Sequence, residues 1–171
     1  MIDMSFLFLG KYVAEIVAVC ALGLTLYQAY LLRQHNRLTV RPHLVSFSRR
    51  NKTPGQRVLV YSLLNNGVGP AFIKSFRILL DGQLVTDLDK ALGEALSGLQ
   101  YNHSITRLGD EYAMVAGEAK DILVLALPRS NGEAFVQIDA TLSRFDLVVE
   151  YESAYKESRV LDTRIYKKEQ L

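Results

Sequence analysis

The sequence predicts a mainly β protein: an N-terminal transmembrane helix followed by an antiparallel β-sandwich with one or two short helical insertions. Residues 12–32 form an apolar run in which Glu15 is the only charge, and a helix of that length spans a hydrocarbon core about 30 Å thick. Beyond the run, short segments rich in β-branched and aromatic residues alternate with turn signals about every ten residues, which is typical of a sandwich. We therefore assign residues 1–36 to the membrane helix and its flank, and residues 37–171 to the sandwich domain.

Two other interpretations of the apolar run fit less well. A secretory signal peptide begins with basic residues and has a shorter apolar stretch, whereas the first cation here is Lys11 and the run is followed by Arg33. A helix of a soluble domain usually carries a polar stripe, but the second half of this run has only Thr25 and Gln28 as strongly polar residues. A retained single-pass anchor is therefore favoured.

The charges beside the run predict its orientation. Arg33, Arg37 and Arg41 follow the helix, whereas only Lys11 precedes it. Because positive flanks stay in the cytoplasm, we expect the N-terminus outside and the domain inside; a signal anchor with its domain outside is the alternative. The basic flank can also contact anionic headgroups. Glu15 lies one turn from Lys11, so an ion pair or snorkelling explains it better than an ion path.

The predicted membrane helix carries small and polar residues along one side. Ala14, Ala18, Ala21, Thr25 and Gln28 recur at spacings of four, three, four and three, which places them on one left-handed seam. In lipid, small residues let helices approach closely, and a polar side chain can bond across the interface. The seam suits association with a second copy or another membrane protein, and a plain anchor in which alanine is common fits equally well.

The composition narrows the classes of function. The net charge is +2 and its excess lies beside the membrane run, which argues against nucleic-acid binding. The only cysteine, Cys20, lies within that run, so the domain has no disulfide and no thiolate site. His35, His43 and His103 are far apart in the chain and show no metal-ligand spacing. We therefore expect neither a metal nor another cofactor.

The domain sequence divides into short strands separated by turns. Segment 57–64 is almost wholly apolar from Val58 onward, which predicts a central strand. The Asp81-Gly82 pair is a hairpin signal, segment 49–56 carries turn chemistry, and Gly109-Asp110 predicts a turn between two strands. The predicted strands are 43–48, 57–64, 71–80, 83–85, 104–108, 111–115, 121–127, 145–151 and 159–166.

In two segments of the domain the apolar residues recur with the spacing of a helix. Residues 87–99 place leucines on one face, and Asp87 or Thr86 can cap that helix. Residues 133–144 predict a second helix, with Phe135 on its apolar side. These are the two helical insertions expected in the sandwich.

The predicted central strand is followed by Asn65-Asn66-Gly67-Val68-Gly69-Pro70-Ala71. Glycine permits positive φ, asparagine tolerates left-handed geometry and proline fixes the exit. The segment lacks the Gly-Lys-Ser/Thr ending of a phosphate-binding loop and precedes a strand. It therefore predicts a structural turn, and the residues that define it are Asn65, Asn66, Gly67, Gly69 and Pro70.

With this motif the chain resembles a group of bacterial single-pass membrane proteins that have one helix, an Arg-Pro pair and a strand ending in Asn-x-Gly-x-Gly-Pro-Ala. Here Arg41-Pro42, the turn at 65–71, the turn at 116–118 and the hairpin at 148–151 match in that order, across most of the chain. The resemblance implies an immunoglobulin-like sandwich attached to the inner membrane. It implies no activity.

Candidate catalytic groups are few. His103 lies in the polar segment 101–110 with Ser104, Arg107 and Asp110, where a Ser–His–Asp arrangement is conceivable. No nucleophile elbow accompanies these residues, so a surface loop is favoured.

Two other groups of side chains suit structural roles. Asp87, Asp89 and Glu94 are explained by helix capping and a solvated helix face. The tyrosines of the last predicted hairpin suit half-buried packing on strands, or an aromatic contact surface: Tyr151, Tyr155 and Tyr166.

Together these observations favour a membrane-anchored protein-interaction module or accessory subunit that is not an enzyme. Its expected partners are the lipid bilayer and a protein partner or second copy bound through the membrane helix, with no nucleic acid. The alternatives are a small-molecule sensor domain coupled to a membrane partner, and an enzyme with an unrecognised site in segment 101–110.

Overall fold

The computed structural model describes residues 4–53, 55–109, 111–128 and 132–168, and the side chains of residues 12–51, 55–109, 111–128 and 136–165. The chain forms two compact units, Met1–Thr39 and Val40–Leu171. The first unit is one helix, α1 (Met4–Thr39). Its Tyr12–Thr39 portion is long and apolar enough to cross a membrane, and none of its hydrophobic window is buried within the protein.

The second unit is mainly β, as predicted, and its sheets are antiparallel. One sheet has the order β1-β2-β7-β5, and the other has the order β4-β3-β8-β9, with β6 also paired to β3. The strands are β1 (Leu44–Thr53), β2 (Gln56–Asn65), β3 (Ala71–Leu80), β4 (Gln83–Leu84), β5 (Asn102–Ile105), β6 (Ala113–Met114), β7 (Ala119–Pro128), β8 (Phe145–Glu152) and β9 (Ser158–Asp162).

Three short helices complete this unit: α2 (Leu88–Ala95), α3 (Gly132–Leu142) and α4 (Thr163–Lys168). The Asp87 side chain accepts a hydrogen bond from the Lys90 N–H, 3.1 Å away, and so caps α2 as predicted. The helix ends at Ala95 rather than at the predicted residue 99, because Gly98 adopts a φ of +83° that a helix cannot continue through.

Local chemistry explains the best-predicted elements. The apolar strand β2 is central, between β1 and β7, so both of its edges are paired, and Leu59, Val60 and Leu63 are buried. The β3–β4 hairpin turns through Asp81 and Gly82, with φ values of +51° and +81°. Two consecutive positive φ values are what a tight two-residue hairpin requires, and an Asp-Gly pair accommodates them at low cost.

The core joins the two sheets. Inward-facing side chains form two clusters, and Tyr61 and Ile78 pack against both. The first cluster takes residues from β1, β2, β3, β6, β7, β8 and β9, including Leu44, Leu63, Ile73, Met114, Ile122, Leu147 and Leu161. In the second, the leucines of α2 and Ile138 of α3 cover β2 and β7; its members include Leu59, Leu88, Leu92, Leu96, Leu125 and Ile138.

Three further predictions differ from the structure. Segment 49–56 was expected to be a turn, but β1 and β2 pair as far as Thr53 and Gln56. Arg49, Arg50 and Asn51 are exposed residues of an edge strand, which composition alone confuses with a loop. The last strand ends at Asp162 instead of residue 166, because the Asp162 carboxylate accepts a hydrogen bond from the Arg164 N–H at 3.0 Å and starts α4.

The third difference concerns the strands predicted on either side of Gly109-Asp110. They do not pair with each other: β5 pairs with β7 in one sheet, and β6 pairs with β3 in the other. The backbone carries the chain between the sheets, since Thr106 N–H still bonds to Ile122 of β7 and Glu111 N–H already bonds to Ile73 of β3. Asp110 itself lies outside the described residues.

Candidate functional site

The seam residues of α1 lie on an exposed helix surface. All five, Ala14, Ala18, Ala21, Thr25 and Gln28, are exposed within their own unit. The Thr25 hydroxyl donates to the Ala21 carbonyl at 2.8 Å, so its hydrogen-bonding capacity is used inside the helix. The Gln28 amide, in contrast, has no hydrogen-bond partner among the described residues. In a bilayer such an amide gains most by bonding to a neighbouring helix or by reaching the interface.

The basic flank is divided between the two units. Arg33 and Arg37 lie on exposed turns near the end of α1, where the Thr39 hydroxyl bonds back to the His35 carbonyl at 3.1 Å. Arg41 belongs to the domain, and its carbonyl accepts a hydrogen bond from Val68 N–H at 3.2 Å. The Lys11 side chain, the predicted partner of Glu15, lies outside the described residues.

Asn65 is the centre of the predicted turn. It is fully buried, and its Nδ2 group donates to the carbonyls of Gly69 at 2.8 Å and Met114 at 3.1 Å. Its Oδ1 accepts from the backbone N–H groups of Gly67 at 3.1 Å and His43 at 3.2 Å. One side chain therefore joins the start of β1, the 65–71 turn and β6. Only an amide supplies both donors and acceptors for this set.

The two glycines of the turn allow close passage of the chain that begins the domain. A Cβ on Gly67 would lie 2.4 Å from the Arg41 carbonyl oxygen, and a Cβ on Gly69 would lie 1.7 Å from that of Val40. Neither glycine has the positive φ that the sequence suggested; the requirement is space for neighbouring backbone. The Arg41-Pro42 pair and the Asn65–Ala71 motif are thus two halves of one structural unit, which neither motif alone reveals.

A second turn completes this end of the domain. Glu118 accepts hydrogen bonds from the Tyr112 hydroxyl at 2.5 Å and from Val115 N–H at 2.9 Å, and it pairs with Lys120 at 3.1 Å. The Tyr112 hydrogen bond is the main cause that lowers the pKa of Glu118, and the Val115 and Lys120 contacts act in the same direction. The sequence indicated a turn here but not this network of side chains, because Tyr112 and Lys120 form no recognisable motif with the turn.

His103 pairs with an acidic residue other than the one considered from sequence. Its Nε2 atom lies 2.7 Å from Asp89 Oδ1 and its ring lies 5.6 Å from that of Tyr101. Ser104 follows on the same strand and so points to the opposite face. The contact joins β5 to α2, and the described residues of segment 101–109 show no hydroxyl bonded to His103.

The remaining candidates are also placed by the structure. Asp87 caps α2, and Lys90 and Glu94 form an i, i+4 pair on its exposed face. Tyr151 is buried, whereas Tyr155 lies in the β8–β9 loop with 41% of its surface exposed; the Tyr166 side chain lies outside the described residues. In the described part of the chain, no three His, Cys, Asp or Glu side chains converge as a metal site would require.

A groove that the sequence did not indicate lies along one edge of β3. On that edge β4 pairs with Leu79 and Leu80 and β6 pairs with Ala71 and Phe72, which leaves a gap between them. The gap forms an open groove of about 320 Å³. Its lining combines apolar side chains with two guanidinium groups: Phe76, Arg77, Ile78, Leu84, Val85, Thr86, Leu88 and Arg107.

The two arginines of the groove differ in their partners. Arg77 forms an ion pair with Glu150. Arg107 donates to the Thr86 carbonyl at 3.2 Å, and no carboxylate among the described residues pairs with it. Arg107 therefore retains donor capacity for an anion. A second groove, of about 410 Å³ beside Tyr101, is lined by amide and apolar side chains and holds no acid or base apart from that tyrosine.

Comparisons with known proteins give no assignment: no protein-family model matches the chain, and no curated protein matches it. The functional argument therefore depends on the features described above.

Proposed function

We propose that the chain is a membrane-anchored protein-interaction module or accessory subunit without catalytic activity of its own. The observation that carries the proposal is the helix α1, which is apolar enough to cross a bilayer and has an unsatisfied amide, Gln28, at the end of a line of small residues. A bond to a second helix satisfies that amide where lipid cannot. The domain then holds a fixed position at the membrane surface and presents its loops and edges to a partner.

The fold that we propose for the domain is an immunoglobulin-like sandwich, as in the bacterial single-pass group that the sequence resembles. The strand orders β1-β2-β7-β5 and β4-β3-β8-β9 correspond to A-B-E-D and C′-C-F-G in immunoglobulin lettering. Core clusters shared between the two sheets support the same interpretation. Domains of this architecture commonly recognise proteins through loops and edge strands, an analogy of fold that supplies no specific partner.

For location we propose the inner membrane, with the domain in the cytoplasm. The support is the excess of arginine after the helix, at Arg33, Arg37 and Arg41. Cys20 is the only cysteine, so Cys20→Ser combined with Ser97→Cys, at an exposed position, gives a single reporter on the domain. A membrane-impermeant maleimide should label it only after cells are opened. Labelling of intact cells would place the domain outside.

The partner is tested by isolating the full chain from its native membrane in mild detergent and identifying the proteins that accompany it. The proposal predicts a discrete complex, either of copies of this chain or with another membrane protein in fixed ratio. A homogeneous monomer without a stoichiometric companion would contradict it.

The groove at β3 favours a second candidate function, a small-molecule sensor coupled to a membrane partner. Its apolar lining and the available donors of Arg107 suit a small apolar acid, and its volume lies at the lower end of ligand-binding pockets. Calorimetric titration of the chain in lipid nanodiscs with 4-phenylbutyrate tests this, with 4-phenylbutanol as the uncharged control. The sensor is supported if the chain binds the acid, if Arg107→Gln abolishes this binding and if Arg50→Gln retains it. If the chain binds neither compound, this ligand class is excluded.

A further inference from the structure

Three loops meet at the end of the domain where the chain begins at Val40. We call residues 66–70, 115–118 and 153–157 the tip. Asn65 holds the first two together, since its side chain bonds to Gly69 and Met114 and its carbonyl accepts from Gly117 N–H. The third loop follows β8, whose last residue pairs with Phe72 at the start of β3. The tip is therefore a single surface built from separate parts of the sequence.

Each loop of the tip presents an exposed apolar or aromatic side chain. Val68 is 68% exposed, Val115 is 59% exposed, and Tyr155 stands in the third loop. Only seven large hydrophobic side chains are exposed in the described part of the domain, and three of them belong to the tip. Such residues gain free energy when they leave water, so their grouping on one surface indicates a partner with apolar character.

Two exposed cations lie beside the apolar residues of the tip. They are Arg41, whose carbonyl is bonded to Val68 N–H, and Lys156 in the third loop. The tip also carries two acids: Glu118 is occupied by Tyr112, Val115 and Lys120, and Glu157 follows Lys156 in the third loop. Valine and tyrosine beside arginine and lysine are a composition suited to a lipid interface, where apolar groups enter the headgroup layer and cations meet phosphates.

The length of α1 brings the start of the domain close to that layer. Seven residues, 33–39, follow Leu32, the last residue of the apolar run, up to the end of the helix at Thr39. They span about 10 Å at 1.5 Å per residue, whereas the headgroup layer adds about 5–8 Å on each side of the hydrocarbon core. Val40 and Arg41 follow directly, so the first residues of the domain leave the helix about 2–5 Å beyond the headgroups.

We infer that the tip rests against the headgroup surface of the bilayer, with Val68, Val115 and Tyr155 facing the headgroups and Arg41 and Lys156 beside their phosphates. The inference depends on the proposed membrane anchoring by α1. It assigns the tip to lipid. The sheet edges and the β3 groove lie elsewhere on the domain and stay available to a partner or ligand.

The chain contains no tryptophan, so single-tryptophan variants report local environment without background. Val68→Trp and Val115→Trp place the probe on the tip. Leu84→Trp is the matched control, because Leu84 is exposed but pairs with Leu79 near the opposite end of β3, about 25 Å along the strand. Val19→Trp, within α1, reports the anchor. Each variant is reconstituted in nanodiscs of phosphatidylcholine and phosphatidylglycerol with spin labels on either the headgroups or the acyl chains.

The inference predicts that headgroup spin labels quench Val68→Trp and Val115→Trp several-fold more than Leu84→Trp, while acyl-chain labels quench Val19→Trp. If Val19→Trp is quenched but the tip variants match Leu84→Trp, the anchor stands and the tip inference is wrong. Blue-shifted tip fluorescence without lipid quenching would mean that protein covers the tip, which also contradicts the inference. Absence of quenching at Val19→Trp would contradict the anchoring itself.

Discussion

Gly69 lies directly against Val40: a Cβ on Gly69 would stand 1.7 Å from the Val40 carbonyl oxygen. The first residue of the domain is thus fixed against a turn nearly thirty positions later in the chain. Together with the Asn65 hydrogen bonds to His43, Gly67 and Gly69, this contact sets the direction in which the polypeptide enters the first strand. The conspicuous glycine motif therefore has a structural role at the start of the domain.

Replacement of Gly69 by alanine should destabilise the domain. The new methyl group must displace backbone rather than a flexible side chain, so we expect a loss of about 1–3 kcal/mol or more. Gly93→Ala is the matched control, because Gly93 is an exposed position of α2 with open space around it. That change should stabilise by about 0.5–1 kcal/mol. Thermal unfolding of the full chain in detergent, followed by tyrosine fluorescence, measures both; equal midpoints for the two variants would contradict the role of Gly69.

Removal of the Asn65 amide should be among the most damaging polar substitutions. Asn65→Ala leaves buried carbonyls and N–H groups without partners, and we expect a loss of about 2–4 kcal/mol. Asn65→Asp keeps an acceptor for His43 and Gly67 but turns an oxygen toward the carbonyls of Gly69 and Met114, so it should not rescue the fold. Asn66→Ala, at an exposed neighbouring position, is the control. Denaturant midpoints distinguish them, and near-native stability of Asn65→Asp would refute the donor role.

The contribution of Glu118 to stability should depend on pH. Its hydrogen bonds lower its pKa below the ordinary value of 4.5. Its stabilising effect is therefore complete above that value and is lost as the pH falls through the lower pKa of the folded state. The difference in unfolding midpoint between the wild type and Glu118→Gln should shrink as the pH decreases from about 6 to about 3. The pKa values of Asp81 and Asp162 are also lowered, by Arg144 and Arg164. Both residues are present in the wild type and in the variant, so their contributions to the pH dependence cancel in the difference. A difference that widens on acidification would show that the assigned sign is wrong.

The sequence predicted local structure well where one physical requirement dominates. The apolar residues of β2 predicted a central strand, the Asp81-Gly82 pair suits a tight turn, and Asp87 is a good helix cap; all three predictions are confirmed. The turn predicted over 49–56 was too long, since β1 extends to Thr53 and β2 begins at Gln56; an edge strand can carry the polar residues of a loop.

Local sequence patterns did not predict which strands pair with each other. Nothing in the sequence near Gly109 shows that the strands on either side join different sheets, because that choice depends on free strand edges formed elsewhere in the chain. For the same reason the β3 groove and the tip, which combine side chains from distant segments, appear only when the fold is known. His103 pairs with Asp89 of α2, a residue that the local pattern around His103 does not include.

The seam of α1 gives a prediction on association. Gln28→Leu removes the amide that we propose bonds to a second helix. Such a bond in lipid is worth about 1–2 kcal/mol, so self-association or partner binding through this helix should weaken roughly 5- to 30-fold. Ala21→Leu should weaken it as well, because the larger side chain separates the helix backbones. Gly23→Leu is the matched control, since position 23 lies on the opposite face of the helix from position 21.

The mass of the detergent-purified full chain, together with any proteins that accompany it, tests the central claim most directly. We predict a discrete complex larger than one chain that dissociates in Ala21→Leu and Gln28→Leu and persists in Gly23→Leu. A monomer without companions in the wild type, or a complex that is indifferent to both seam variants, would contradict the assignment of α1 as an interaction helix.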